Sequence, residues 1–119
     1  MLEDISDFIT VCINHEVRPS QSKWFMFEKF EVYLRAGTVY AGNGKYVKGV
    51  TISNINVFPN YQRTGVFKAF LTDLTSLAKS KYYEYIVVEN VINPDLRTYL
   101  FSLKYEQCPG NPVSLRTKL

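Results

Sequence analysis

The sequence predicts an α/β (α+β) fold, a mixed β-sheet sandwich with helices on both faces. An apolar pattern of helical spacing opens the chain, and a stretch rich in aromatic and β-branched residues follows from 24 to 58. After it, helical and strand patterns alternate to the end of the chain. A strand–helix–strand unit implies a parallel pair with a right-handed crossover, whereas strands joined by a tight turn are antiparallel, so the sheet should be mixed.

Composition sets limits on the function. The 119 residues have the length of one domain, are 46% hydrophobic and carry a net charge of +3. That charge suits an anionic ligand but is too small to indicate nucleic acid, so a nucleic-acid partner is not expected. With no long apolar run and no basic export signal at the start, we expect a cytoplasmic protein without a membrane partner. One His and the distant Cys12 and Cys108 predict neither a disulfide framework nor a metal site.

The first half of the chain reads as one helix followed by strands. Residues 2–14 predict an amphipathic helix with acidic residues in its first turn, and residues 15–23, which include His15 and Pro19, predict a loop. Residues 24–35 alternate as a strand, Ala36 and Gly37 interrupt it, and 38–41 predict a short strand. A glycine turn at 42–44 leads into a long strand at 46–58. The alternation of that strand becomes unclear at 56–58, where a bulge is one explanation.

The second half alternates helices and strands. A turn at 59–65 leads into a helix over 66–79, and residues 83–89 predict a central strand. Asn93, Pro94 and Asp95 are a capping residue, a first-position proline and a first-turn acid, which together predict a helix start. Strands are expected at 105–108 and 113–119. The last of them could pair across subunits in a homodimer.

The segment from 57 to 67 is the most informative for function. A strand ends, a short loop carries Gln62, Arg63, Thr64 and Gly65, and a helix begins. The first N–H groups of a helix have no internal partner and the helix dipole adds positive potential, so such a place can bind phosphate. Gly65 leaves room beside the backbone, and Arg63 can add a charged contact. On the loop alone, an ordinary strand-to-helix connection explains the residues equally well.

With its neighbouring elements, this loop resembles the acyl-CoA loop of the GNAT N-acetyltransferase superfamily. That loop reads Gln/Arg-x-x-Gly-x-Gly/Ala after a strand ending in Val-x-Pro. The matching residues are Val57, Pro59, Gln62 and Gly65, and Phe67 stands in the last small-residue place. A second family motif, an Asn that opens a helix, matches the segment from 93 to 106. The resemblance covers roughly residues 46–108.

The resemblance implies a single GNAT-like acyl-CoA-binding domain over residues 1–119. Its cofactor would be acetyl-CoA or CoA, and its activity would be direct transfer of the acetyl group from the thioester to an amine of a protein or a small molecule. Loop amides would hold the diphosphate, and the preceding strand would pair with the pantetheine arm. The implied cofactor-binding residues are Ile55, Val57, Gln62, Arg63, Thr64, Gly65, Val66, Phe67 and Asn93. Asn93 would contact the pantetheine or cap its own helix.

The catalytic residues depart from the family pattern. Members often use a tyrosine of the last helix as acid, but the corresponding position holds Leu100, and the adjacent Tyr99 lies about 100° around the helix. The strand before the loop carries Ser53, Asn54 and Asn56 in place of a carboxylate. We therefore expect Tyr99 as acid and Glu89 as base, directly or through water. Glu28 and Glu31 remain open alternatives for the base.

A structural role is the competing interpretation of each residue. Tyr99 could be a core tyrosine, Glu89 could end a strand or form an ion pair, and both cysteines could be small buried hydrophobic residues. The corresponding alternative for the whole chain is a catalytically weak or inactive GNAT-like module that binds CoA or interacts with a macromolecule.

Overall fold

The computed structural model describes residues 2–14 and 20–119. Most of the predicted loop at 15–23, including His15, lies outside the described residues. The elements are α1 Glu3–Ile13, β1 Gln21–Met26, β2 Phe30–Gly42, β3 Lys45–Val57, a 3-10 turn Pro59–Tyr61, α2 Val66–Ser80, β4 Tyr85–Val88, α3 Pro94–Ser102, β5 Glu106–Cys108 and β6 Asn111–Lys118. No described helix is long and apolar enough to span a bilayer.

The sheet is mixed, as predicted. Its six strands lie in the order β1-β2-β3-β4-β6-β5. β3 and β4 are parallel, with α2 as their crossover, and the other neighbouring pairs are antiparallel. β6 lies between β4 and β5 and has no free edge, so the predicted pairing of 113–119 across subunits is wrong. The free edges of the described sheet belong to β1 and β5.

The helices pack on one face of the sheet. Phe8 of α1 lies 5.5 Å from Phe25, and Phe70 of α2 lies 4.9 Å from Phe30, measured between ring centroids. Leu100 of α3 is buried in the same cluster. The mixed α+β class is therefore confirmed, but the arrangement differs from the expected helices on both faces, because one continuous core takes the apolar face of the sheet and all three helices.

The β2–β3 hairpin covers part of the opposite face of the sheet. Thr51 and Ser114 are buried there, each 1% exposed, beside the half-buried Arg35. The β2–β3 hairpin reaches the turn after β5, where a Cβ placed on Gly42 would lie 3.5 Å from the Pro109 ring. This face therefore holds polar groups in a shallow enclosure under the hairpin.

The predicted strand at 24–35 is two strands. β1 ends at Met26 and β2 begins at Phe30, and the Phe27 N–H donates to the Phe30 carbonyl across the turn at 2.9 Å. The turn preserves the alternation of side chains, so the pattern does not reveal it. The predicted break at 36–37 lies inside β2. Gly37, with φ +142°, is needed because a Cβ there would lie 2.8 Å from the Ser20 Cα.

A bulge in β3 lies at Ser53, earlier than the position suggested by the sequence. Tyr33 pairs with Asn54 and Leu34 with Ile52, so Ser53 is the extra residue. The bulge reverses the alternation: Ile52 packs in the core before it and Ile55 packs against the core after it, while Asn54 is exposed. Strict alternation along β3 would place Asn54 on the same side as Val50 and Ile52, and the bulge removes it from that side. The Ser53 hydroxyl is buried with no partner among the described residues.

Candidate functional site

The parallel strands β3 and β4 separate in the middle of the sheet. Their pairing runs from Gly49 opposite Tyr85 to Ile52 opposite Val88. The last bond is donated by the Glu89 N–H to the Ile52 carbonyl at 3.0 Å. Beyond it, after the bulge at Ser53, residues 54–57 of β3 pair with β2, and no described strand lies on their other side. A gap therefore opens along one edge of β3.

The backbone of β3 presents hydrogen-bonding groups to this gap. The Phe58 N–H donates to the Lys29 carbonyl on the β2 side at 2.9 Å. Because successive residues of a strand direct their groups to alternate sides, Ile55 and Val57 face the gap. The Gln62 side chain already uses part of this edge, since its Nε2 donates to the Val57 carbonyl at 3.0 Å. Gln62 therefore braces the end of β3.

The loop before α2 leaves a row of N–H groups without acceptors. The first helical bond runs from the Ala69 N–H to the Gly65 carbonyl at 3.0 Å. The N–H groups of residues 63–68 have no acceptor in the part of the chain that the structure describes. Arg63 and Gly65 are left-handed, with φ of 63° and 82°. A left-handed residue followed by a helical one turns successive N–H groups toward one point, which builds an anion site.

Side chains hold this loop in shape. The Thr64 hydroxyl donates to the Tyr61 carbonyl across the turn. A Cβ placed on Gly65 would meet nothing within 4 Å, so the space beside the backbone is open toward solvent. Phe67, in the place of the family's small residue, is half-buried and packs against the core cluster. Its ring forms part of the wall of a cavity that this loop also lines.

The gap and the loop meet in one open cavity of about 470 Å³. Most of the predicted cofactor-binding residues line it, together with Tyr99 and several residues that sequence reasoning did not single out. The lining residues are Ile55, Asn56, Val57, Tyr61, Gln62, Arg63, Gly65, Val66, Phe67, Lys68, Asp95, Leu96 and Tyr99. Thr64 is absent from the lining but belongs to the same loop.

Asn93 lies outside this cavity and caps its own helix. Its Oδ1 accepts hydrogen bonds from the N–H groups of Asp95 and Leu96 at 2.9 and 3.1 Å. Pro94 follows at the first helical position. The capping alternative for Asn93 is therefore the one observed, and its polar group serves the start of α3.

Tyr99 is one of three α3 residues that line the cavity, with Asp95 and Leu96. It is half-buried and lines the cavity, whereas Leu100, the residue at the family's position, is fully buried in the core. The Lys68 ammonium lies 4.5 Å from the centroid of the Tyr99 ring. The Tyr99 hydroxyl makes no hydrogen bond with the described residues.

Glu89 lies in a different cavity, on the face without helices. Its Oε2 accepts from Arg35 Nη2 at 2.6 Å, in an ion pair whose side chains are 26% and 36% exposed. This cavity has a volume of about 210 Å³ and includes the buried Thr51 and Ser114. The structure therefore does not bring Glu89 and Tyr99 into one cavity, although the Glu89 N–H makes the last bond before the strands separate.

The alternative bases lie elsewhere. Glu28 is exposed in the turn between β1 and β2. Glu31 Oε1 accepts from Asn56 Nδ2 at 3.4 Å, and Asn56 lines the larger cavity. Glu31 is thus connected to that cavity through one amide side chain.

The cysteines show no sign of activation. Cys12 is buried and Cys108 is half-buried, and both are free thiols. Burial raises the pKa of each thiol, and the nearby cations Lys48 and Arg116 only partly oppose this effect on Cys12 and Cys108 respectively. A thiol that resists ionisation is a poor nucleophile, in keeping with packing roles.

The chain has the fold of a solved GNAT acetyltransferase structure. No protein-family model and no curated protein matches the chain by sequence. Solved structures with this fold do match, at low identity.

Three of these structures illustrate the likeness. A mutant AtaT toxin bound to the C-terminus of the antitoxin AtaR and acetyl-CoA is 17% identical over 76% of this chain and 58% of its own, with a TM-score of 0.55. AtaT complexed with acetyl-methionyl-tRNAfMet is 16% identical over 76% and 62%, with a TM-score of 0.57. A GNAT acetyltransferase from Elizabethkingia anophelis with acetyl-CoA bound is 15% identical over 98% and 83%, with a TM-score of 0.54. The match thus spans less than two thirds of the AtaT toxin.

Proposed function

We propose that this chain is an acetyl-CoA-dependent N-acetyltransferase that transfers an acetyl group to an amine of a protein or a small molecule. The observation that carries the proposal is the row of acceptor-free N–H groups at 63–68, which opens into the same cavity as the unpaired edge of β3. Such a combination recognises a ligand that carries a diphosphate joined to a chain with amide groups.

The residues of the cavity fit acetyl-CoA part by part. The amides of Arg63 to Phe67 and the Arg63 guanidinium suit the diphosphate. The backbone groups of Ile55 and Val57 suit the pantetheine amides, in the manner of an added strand. Gln62 contributes by bracing Val57, and Asn93 by fixing the start of α3. When bound, acetyl-CoA supplies an acetyl carbon activated by its thioester linkage.

Tyr99 and Glu89 are the proposed acid and base. The acceptor nitrogen forms a bond to the acetyl carbon while the carbon–sulfur bond breaks and its electron pair goes to sulfur. Tyr99 gives its hydroxyl proton to that sulfur, and the proton that leaves the nitrogen passes to Glu89 directly or through water. Solvent then returns a proton to Tyr99 and removes one from Glu89, so both groups end as they began.

The structural comparisons support the cofactor and suggest acceptors to test. Two of the matched structures contain acetyl-CoA, and one contains an acetylated methionyl-tRNA. An aminoacyl-tRNA therefore belongs in the acceptor panel beside peptides and small amines, although the net charge of +3 does not by itself indicate nucleic acid.

Ligand binding tests the proposal first. Thermal unfolding with millimolar acetyl-CoA should raise the melting temperature, because a ligand at about 100 times its Kd stabilises the folded state by about 2.7 kcal/mol. Native mass spectrometry should show a retained mass of CoA or acetyl-CoA and reports any homodimer at the same time. Release of free thiol in the presence of the acceptor panel then measures transfer. Equal melting temperatures with and without acetyl-CoA would contradict the proposal.

A CoA-binding module with little or no catalysis is the second candidate. The observation that favours it is the location of Glu89, which is ion-paired to Arg35 in a cavity apart from Tyr99. Saturable acetyl-CoA binding with no thiol release above the rate in water, across the whole panel, would support this candidate over the enzyme.

A further inference from the structure

We infer that Lys68 is a positioning residue for Tyr99 in the proposed transfer reaction, so this inference rests on the proposed function. Lys68 is the third residue of α2, and its side chain extends to α3, where its ammonium lies 4.5 Å from the centroid of the Tyr99 ring. Both residues line the larger cavity. A cation at this distance from an aromatic face is attracted to the ring and fixes its position.

Lys68 connects the two ends of the cavity. Its backbone N–H belongs to the acceptor-free row at 63–68, while its side chain contacts the tyrosine proposed as acid. No carboxylate of the described residues lies within ion-pair distance of Lys68, and Asp95, which shares the cavity, makes no ion pair with it. The charge of the ammonium is therefore free to act on the cavity.

The position of the Tyr99 ring matters in the transfer step. Tyr99 can give its hydroxyl proton to the leaving sulfur only where the hydroxyl lies within hydrogen-bond reach of that sulfur. Lys68 therefore acts through Tyr99, because the attraction of its charge to the ring holds the ring in the cavity.

Two substitutions separate charge from packing. Lys68→Met keeps most of the aliphatic length and removes the ammonium, whereas Lys68→Arg keeps a cation. The Lys68 side chain is exposed, so water weakens the interaction of its charge with the ring. We therefore expect Lys68→Met to lower kcat for thiol release by only about fivefold. Lys68→Arg should restore most of the rate, and the Kd for CoA measured by calorimetry should change less than twofold in both variants. Lys79→Met, the same change near the other end of α2, is the matched control and should match the unsubstituted protein.

A measurement without acetyl-CoA tests the contact itself. In NMR spectra of the unliganded protein, the Tyr99 ring current should shift the Lys68 ε-methylene protons, and Tyr99→Leu should move them to the positions of an exposed lysine. Unmoved signals would overturn the inference. A Lys68→Met variant with a raised Kd for CoA and an unchanged kcat would also overturn the inference, because Lys68 would then act only in binding phosphate.

The proposed function can fail separately from this inference. If the unsubstituted protein neither binds acetyl-CoA nor releases thiol, the function fails and the role of Lys68 fails with it. If the protein binds and transfers while Lys68→Met retains full kcat, the function stands and only the role of Lys68 is overturned.

Discussion

Replacing Gly65 with alanine should weaken CoA binding roughly a hundredfold while leaving the protein folded. Gly65 has φ +82° immediately before α2, and a Cβ there would meet no heavy atom within 4 Å. The new methyl group would therefore point into the open space where we place the diphosphate. It would clash with no protein atom, so the structural cost is confined to the backbone conformation.

The magnitudes follow from the geometry. An L-residue held in the left-handed region costs about 1–2 kcal/mol in folding stability. If the methyl group displaces the diphosphate from two of the N–H groups at 63–68, each charged hydrogen bond lost is worth about 1.5 kcal/mol, so affinity should fall by about 3 kcal/mol, roughly a hundredfold. The loss of affinity is thus separable from the loss of stability.

Gly44→Ala is the matched control. Gly44 has φ +74° and nothing within 4 Å of its Cβ position, but it lies in the β2–β3 turn away from the larger cavity. Both variants should unfold at similarly lowered temperatures without ligand. Titration calorimetry and thermal shift with CoA should then show near-normal binding for Gly44→Ala and little for Gly65→Ala. Equal CoA affinities in the two variants would refute the assignment of the loop amides to the diphosphate.

Further substitutions give distinct expectations. Tyr99→Phe should lower kcat about a hundredfold with little change in the Kd for CoA, because only the proton donor is removed; an unchanged kcat excludes Tyr99 as acid. Glu89→Gln should likewise lower kcat by about a hundredfold or more and leave CoA binding intact, since Glu89 lies outside the larger cavity; full activity would leave Glu31 or water as the base. Asn93→Ala should lower the free energy of unfolding, measured in urea, by about 1 kcal/mol. Its CoA affinity should change only as far as fraying of the start of α3 changes it. Burial raises the pKa of Tyr105 to about 12 from 10, so its neutral form stabilises the fold below pH 10 and that contribution is lost as the pH rises toward 12. Between pH 10 and 12, the free energy of unfolding of Tyr105→Phe should therefore fall by about 3 kcal/mol less than that of the unsubstituted protein. An equal fall in both proteins would show that burial of the Tyr105 hydroxyl is not the cause.

The fold was largely predictable because its signals are local. Helical periodicity located α1 and α2, and the residues Asn93, Pro94 and Asp95 located the start of α3 within one position. The errors arose where local patterns leave no mark. A tight turn keeps the alternation of its strands in phase, so the turn at 27–29 was hidden. One extra residue at Ser53 reverses the alternation that follows, and its position depends on the register with β2.

The candidate site was predictable in part for the same reason. The loop residues are contiguous in sequence, so a resemblance to one motif found most of the cavity wall. The contacts that involve Lys68 and Arg35 join residues far apart in the chain, Lys68 to Tyr99 and Arg35 to Glu89. No spacing rule links such pairs, because the crossover through α2 and the order of the strands bring them together. The helical position of Lys68 in the first turn was visible, but the direction of its side chain was not.

The separation of Tyr99 and Glu89 does not decide between the enzyme and the binding module. The larger cavity reaches the gap along Ile55 and Val57, and the smaller cavity reaches it at Glu89, whose N–H makes the last bond to Ile52. A thioester held in the gap would be approached by an acid from the helical face and by an amine and base from the other face. The nitrogen attacks the acetyl carbon from above or below the plane of its carbonyl group, so the base beside the nitrogen and the acid beside the sulfur need not share one cavity. The kinetics of Glu89→Gln measure directly whether Glu89, which is ion-paired to Arg35, takes part in the transfer.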